Sequence, residues 1–194
     1  MKGIVTAIGL CRYVQFLLAG ILMTVVLTSC TRAQTVDLST DEAVHKELAK
    51  NSEFKSKLDR LCIERIKESA KIIVIGNHAN DRGCRIDGAF IDSHYFNADE
   101  AAFSKKALNA LGWKKANQNQ REQLAKLWVE KGLLAFSTVL YTKDKDLIND
   151  EFQPPNVVST ENGEIVVTLW VSFMRRKKEF RMIEIRFAKD GNRL

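Results

Sequence analysis

Histidine is scarce in this chain, with three in 194 residues. None lies in an H-E-x-x-H pair, so that route to a helical zinc site is excluded. There is also no G-x-S-x-G elbow, no P-loop and no G-x-G-x-x-G turn. Asp92-Ser93-His94 places a hydroxyl between an acid and an imidazole. Sequence neighbours point in different directions, so these three form no triad by themselves, and a polar turn is the expectation. His45 is expected on a solvated helix face. Neither sign of charge dominates, with 30 Lys and Arg against 24 Asp and Glu and a net charge of +6. No RNP, zinc-finger or helix-turn-helix signature accompanies that mild excess, which argues against a nucleic-acid protein. Internal repeats and low-complexity segments are absent.

Long apolar runs are missing too, except at the N terminus, where Phe16–Leu27 is apolar. A membrane-spanning helix needs ~20 apolar residues, and this run is shorter. Lys2 and Arg12 precede it, and Leu27-Thr28-Ser29-Cys30 follows. A basic start, an apolar centre and small residues make a secretory signal. The closing four residues look like a bacterial lipobox, with Cys30 as lipid acceptor. Residues 1–29 are thus expected to be a signal peptide, 30–38 a tether and 39–194 one domain. Cleavage after Thr31-Arg32-Ala33, releasing a soluble periplasmic protein, is the alternative. Thr31 is not the aspartate that retains such lipoproteins at an inner membrane, so an outer-membrane anchor facing the periplasm is expected. Loss of Lys2 and Arg12 leaves 28 basic and 24 acidic residues, a net +4. That charge suits anionic lipid head groups.

Cysteine use fits export. Cys11 lies in the signal and Cys30 at its end, which leaves Cys62 and Cys84. In an oxidising compartment this pair is expected to form a disulfide. Adding His78 and His94 would give a Cys-His-Cys-His set, but its spacings match no compact zinc pattern. A free core cysteine at position 62 is a third option. No cofactor is expected.

The periodicity predicts helices first and strands last. Ser39-Thr40-Asp41-Glu42 reads as a capping box, opening a helix to about Lys50. Phe54, Leu58, Leu61, Cys62 and Ile66 recur at helical spacing, predicting a second helix to about Ser69. Ile72–Ile75 extends that helix or forms a short buried strand. Residues 76–87 are polar and read as a loop. A second box at Asn97–Glu100 predicts a helix ended by Gly112, and a third at Asn117–Gln120 predicts the longest helix, to about Tyr141. Along it Leu124, Trp128, Gly132, Phe136 and Leu140 fall four apart. After residue 145 the period becomes two. Pro154 and Pro155, the chain's two prolines, precede Val157-Val158. Asn162-Gly163 is a hairpin signal, and Ile165, Val167, Leu169, Val171 and Phe173 share one strand face. Ile183, Ile185 and Phe187 alternate in the next strand, beyond a basic turn over Arg175–Lys178. Lys189–Asn192 is a further turn with only Arg193 and Leu194 after it. The class is α+β, with N-terminal helices packed on a C-terminal curved antiparallel sheet.

Apolar surface is thus offered from two sides. An apolar ligand site between helix and sheet would use Leu124, Trp128, Phe136, Leu140, Val167, Leu169, Val171, Ile183 and Ile185. Buried acyl chains gain ~0.8 kcal/mol per methylene, so such a site needs few polar groups. A filled core is the other use of the same surface. Trp170 and Thr168 lie on the strand's second face and predict that it, too, is covered. Arg175–Lys178 would meet phosphate head groups or be a solvated tip.

From about Asp92 to Phe187 the chain resembles the MlaC-type periplasmic phospholipid-binding proteins, also called toluene-tolerance auxiliary proteins. Tyr95-Phe96-Asn97, Leu111-Gly112-Trp113 with Ala116, and Gln120-Arg121 carry the resemblance, followed by the four-apart stripe. It implies helices on a bent sheet and a deep apolar pocket for lipid tails. It also implies phospholipid carriage within an envelope lipid-transport complex, with no reaction and no cofactor. Three functions are therefore expected in turn. They are a phospholipid carrier, a non-catalytic accessory lipoprotein with a filled core, and a small α+β enzyme with a polar pocket at Asp92 or His94.

Overall fold

Thr40 caps the first helix, α1 (Asp41–Leu48), its hydroxyl accepting the Ala43 N–H at 3.2 Å. The cap lies one residue beyond Ser39, whose own N–H is held by the Asp37 carboxylate at 2.9 Å. Val44 and Leu48 form the buried side of α1. Arg65 fixes its entry, donating to the Leu38 carbonyl at 2.7 Å and to the Asp41 carboxylate at 2.9 Å. Leu38, expected in the tether, is itself buried.

The computed structural model describes residues 36–69, 71–78, 83–147, 152–174 and 178–194. The signal segment and Cys30 lie outside them, as do Arg175 to Lys177 of the basic turn.

Strands stand where the second helix was expected. The chain runs through β1 (Leu61–Arg65), β2 (Ile72–His78), β3 (Cys84–Ile91) and β4 (His94–Asn97). These pair antiparallel in sequence order as one meander. The helical spacing over 54–66 is overruled by a neighbour. Ile72–Ile75 is a β-branched run that pairs poorly with helix formation. A tight turn folds it back on Ile63–Arg65, with the Ser69 N–H on the Ile66 carbonyl at 2.9 Å. Within the polar stretch expected as a loop, residues 76–78 and 84–87 belong to strands, with Asn77 opposite Arg85 and His78 opposite Cys84. A register shift between Ile75 and Gly76 marks a bulge there.

Two short helices follow. Asn97 and Glu100 make half a capping box, the Asn97 N–H donating to the Glu100 carboxylate at 3.0 Å, but α2 begins only at Phe103 and runs to Ala110. Gly112 stops it with φ 103°, a left-handed value that favours glycine. The full box at Asn117 and Gln120 opens α3 (Gln118–Leu127). A π-helical turn, Trp128–Leu133, ends α3 well short of Tyr141.

The second sheet has β7 (Ile165–Met174) at its centre. β5 (Thr138–Leu140) and β6 (Asn156–Ser159) pair along one side of it, and β8 (Lys178–Phe187) along the other. Gly163, at φ 77°, closes the β6–β7 turn, which spans three residues between Thr160 and Glu164. After the last turn Arg193 does pair, bridging Phe187. The fold is therefore a mix of helices with two antiparallel sheets. One core joins the sheets. It takes Val74, Ala89 and Ile91 from the first, Val167, Leu169 and Val171 from the second, and Phe103, Ala107 and Trp128 from the helical segment.

Gly132 tests how the π turn is held. A Cβ there would lie 2.1 Å from the Trp128 ring. Gly132→Ala is expected to lower stability by ~1–3 kcal/mol through overpacking, read as a reduced urea midpoint with an unchanged slope.

Candidate functional site

The four-apart stripe does not stay on one face. Leu124 and Trp128 belong to α3 and its π turn, Phe136 follows them, and Leu140 is already on β5. Gly132 admits no neighbouring element; its open side is filled by the Trp128 ring. Trp128 is fully buried, edge-on to Phe103 with ring centroids 5.3 Å apart. Its indole N–H finds no hydrogen-bond partner among the described residues, so packing alone orients it.

Eight of the nine proposed ligand-lining residues meet in the main core. Trp128, Val167 and Val171 are 0% exposed, Leu169 is 1% and Ile185 is 4%. Leu124, Phe136 and Ile183 pack around them, half-buried. Leu140 is the exception. It pairs with Trp170 across β5 and β7 and faces the opposite side. There Leu140, Leu147 and Trp170 form a second cluster, with Phe152 and Phe180 against it. The second face of β7 is thus covered, as Trp170 predicted. A chamber wide enough for an acyl chain leaves accessible surface on its walls. The five deepest residues have almost none.

Trp113 anchors the connection between α2 and α3. Its indole N–H donates to the Lys189 carbonyl at 3.1 Å, and its ring leans on Phe187. Lys105 holds the Asp190 carboxylate at 2.6 Å. The C-terminal turn is therefore docked on the helical segment. The Lys105 ammonium and the Asn192 N–H both favour ionised Asp190 and hold its carboxyl below the usual value.

Asp92-Ser93-His94 is a turn. Asp92 and Ser93 have φ 49° and 66° and join β3 to β4. That is the geometry of a tight hairpin, here without glycine. The Asp92 carboxylate lies 3.3 Å from the Lys71 ammonium. The His94 Nδ1 is 2.9 Å from the Asp92 main-chain oxygen, not from its carboxylate. His45 likewise sits 2.9 Å from the Asp41 main-chain oxygen on α1.

A hollow of about 390 Å³ lies between the end of α1 and this hairpin. Leu48, Phe90 and Tyr95 are its apolar walls, and Glu47, Lys50 and His94 its polar ones. Tyr95 is wedged between Phe54 and Phe90, with centroids 5.1 and 5.5 Å away. Its hydroxyl covers Gly88, where a Cβ would come within 2.4 Å of it. Burial, then the charges of Asp87, Glu53 and Glu100, push its ionisation well above the usual phenol value.

Cys62 and Cys84 form the expected disulfide, with Cα atoms 6.4 Å apart. It joins β1 to β3 over the intervening β2. Closing a loop of this length stabilises the fold by ~3 kcal/mol through the unfolded chain. His78 stands beside the pair, whereas His94 is at the other end of the sheet, opposite Ile91. The sequence spacing alone did not separate these two histidines. The pairing of His78 with Cys84 does. Among the described residues, no helix is long and apolar enough to cross a membrane.

Tyr95 makes alkaline stability a readout. The unfolded chain releases this proton near pH 10 and the folded chain only higher, so the contribution of Tyr95 is whole below pH 10 and falls as pH rises beyond it. Tyr95→Phe is expected to flatten the loss of stability between pH 9.5 and about 11, checked by urea titrations at each pH.

No known family matches this sequence when it is compared with models of protein families. No solved structure matches it either. An uncharacterized protein of Dictyostelium discoideum is 22% identical over a stretch covering 46% of this chain. The chain spans about half the length of that protein, 49%.

Proposed function

We propose that this chain is a non-catalytic interaction protein of the cell envelope, exported by residues 1–29 and held at a membrane through a lipid on Cys30. One observation carries the choice of a filled-core accessory protein over a carrier. The five deepest of the residues that would line a lipid chamber are packed with almost no accessible surface, at 0% for Trp128, Val167 and Val171. Binding would then be a property of the outer surface, and the core a rigid support for it. The periplasmic face of an outer membrane is the proposed location.

Phospholipid carriage, which the family resemblance implies, is a second reading with one feature in its favour. The Trp128 N–H is a buried donor with no acceptor among the described residues. Such an orphan costs ~1–3 kcal/mol, and an ester or phosphate oxygen would satisfy it. Leu124, Phe136 and Ile183, half-buried around it, would be the way in.

Val167→Phe separates the two readings. In a filled core it costs ~1–3 kcal/mol by overpacking, and native mass spectrometry of the wild-type protein from a gentle envelope extract shows no bound lipid. In a carrier the same change expels lipid with little loss of fold. The expected outcome is the first, and near-stoichiometric phospholipid on the wild type would overturn it. Cys30→Ser tests the anchor. It is expected to move the protein from the membrane pellet to the soluble fraction and to remove the acyl mass from its N-terminal peptide.

A further inference from the structure

We propose that Cys62, His78 and Cys84 form a zinc site when the disulfide is reduced, so that one trio of residues alternates between a covalent crosslink and a metal clip. Three adjacent strands bring these residues together. Cys62 of β1 is opposite Gly76 of β2, and His78, two residues on, is opposite Cys84 of β3. Directly opposed antiparallel residues share a face and alternate residues return to it. All three side chains are therefore on one side of the sheet. Their ligand atoms lie within 4.8 Å of one another. A tetrahedral zinc ion with bonds of ~2.3 Å to sulfur and ~2.0–2.1 Å to nitrogen needs its ligand atoms roughly 3.5–3.8 Å apart. Opening the S–S bond therefore moves the sulfurs toward zinc spacing without moving the strands.

The surroundings suit a metal. Position 76 has no side chain, and the Phe136 ring occupies that place, 2.5 Å from where a Cβ would be. The inner side of the trio is thus apolar. Cys62 and Cys84 are half-buried, while His78 is exposed and leaves an entry path. Two thiolates and one imidazole are a soft donor set that favours zinc over magnesium or calcium. Among the described residues the trio supplies three ligand atoms, the number in sites whose fourth position is taken by water.

The chemistry balances with a thiol reductant as the second reactant. One thiolate attacks Cys84 Sγ, the Sγ–Sγ bond breaks, and Cys62 leaves as a thiolate. A second reductant thiolate then attacks the reductant sulfur of this mixed disulfide, Cys84 leaves as a thiolate, and the two reductant thiols depart joined as a disulfide. Zinc binding displaces the remaining thiol protons and takes the neutral imidazole. The oxidised chain cannot offer the site, since a disulfide sulfur is not a thiolate.

Cobalt is the probe. The purified protein is titrated with Co²⁺ in oxidised form, and again after dithiol reduction and removal of the reductant. The reduced protein is expected to take one equivalent with a thiolate-to-cobalt charge-transfer band, bleached by one equivalent of Zn²⁺. The oxidised protein is expected to show no band. His78→Ala, at an exposed position, should keep the disulfide-bonded fold and weaken metal binding by tenfold or more. Circular dichroism reports the fold at each step. If reduction alone unfolds the chain, Zn²⁺ is expected to restore the β signal. Absence of the charge-transfer band in folded reduced protein overturns the proposal. So does unchanged affinity in His78→Ala, or failure of Zn²⁺ to refold an unfolded reduced chain.

Discussion

Burial of the Trp128 ring is the constraint around which the rest of the chain is arranged. The ring lies where a side chain at residue 132 would be, within a backbone that takes a π turn from Trp128 to Leu133. With the turn widened, Leu134 hydrogen-bonds back to Val129 and the chain leaves the helix. It can then lay β5 along β7. The same ring touches Phe103, so α2 is set against it. Val167, Leu169 and Val171 complete the enclosure from the second sheet and Val74 and Ala89 from the first. Neither four-stranded sheet could bury its apolar face without this shared centre.

What could be read from the sequence follows from where the deciding interactions lie. The third capping box was legible because both of its hydrogen bonds fall within Asn117–Gln120. The β7–β8 hairpin was legible because its alternation runs the length of two ten-residue strands. The disulfide could be inferred because Cys11 and Cys30 fall in the expected signal segment and at its end, which leaves one pair. The first sheet was hidden by a coincidence of periods. Leu61 and Cys62 satisfy a helical spacing with Ile66 and also sit on a short strand that ends just before it, and only the Ile72–Ile75 partner decides between the two. The end of α3 was hidden for a related reason. Spacing by four continues through Gly132 to Leu140, but the backbone changes type there, and Leu140 faces away from Trp128.

The candidate site divides in the same manner. Sequence spacing identified the apolar residues that gather between the sheets, because alternation along β7 places them. It did not tell an empty space from a filled one, since that depends on ring volumes and on the depth to which Trp128 enters. The trio at Cys62 was likewise unreadable. His78 and His94 are equally plausible partners along the chain, and only the register of β2 against β3 selects one.

The disulfide also determines how the fold meets mechanical load. A pull on the N-terminal end of the described chain reaches Leu38 and Asp41, and Arg65 passes it to the end of β1. An antiparallel meander loaded at its outermost strand ordinarily peels one strand at a time, because each step breaks few hydrogen bonds. Here Cys62 is bonded to Cys84, two strands away. Force that reaches Cys62 along the backbone is therefore passed through the disulfide to Cys84 at the start of β3. The segment between the two cysteines is bypassed by that force, so β1 and β2 cannot be stretched out while the crosslink is closed.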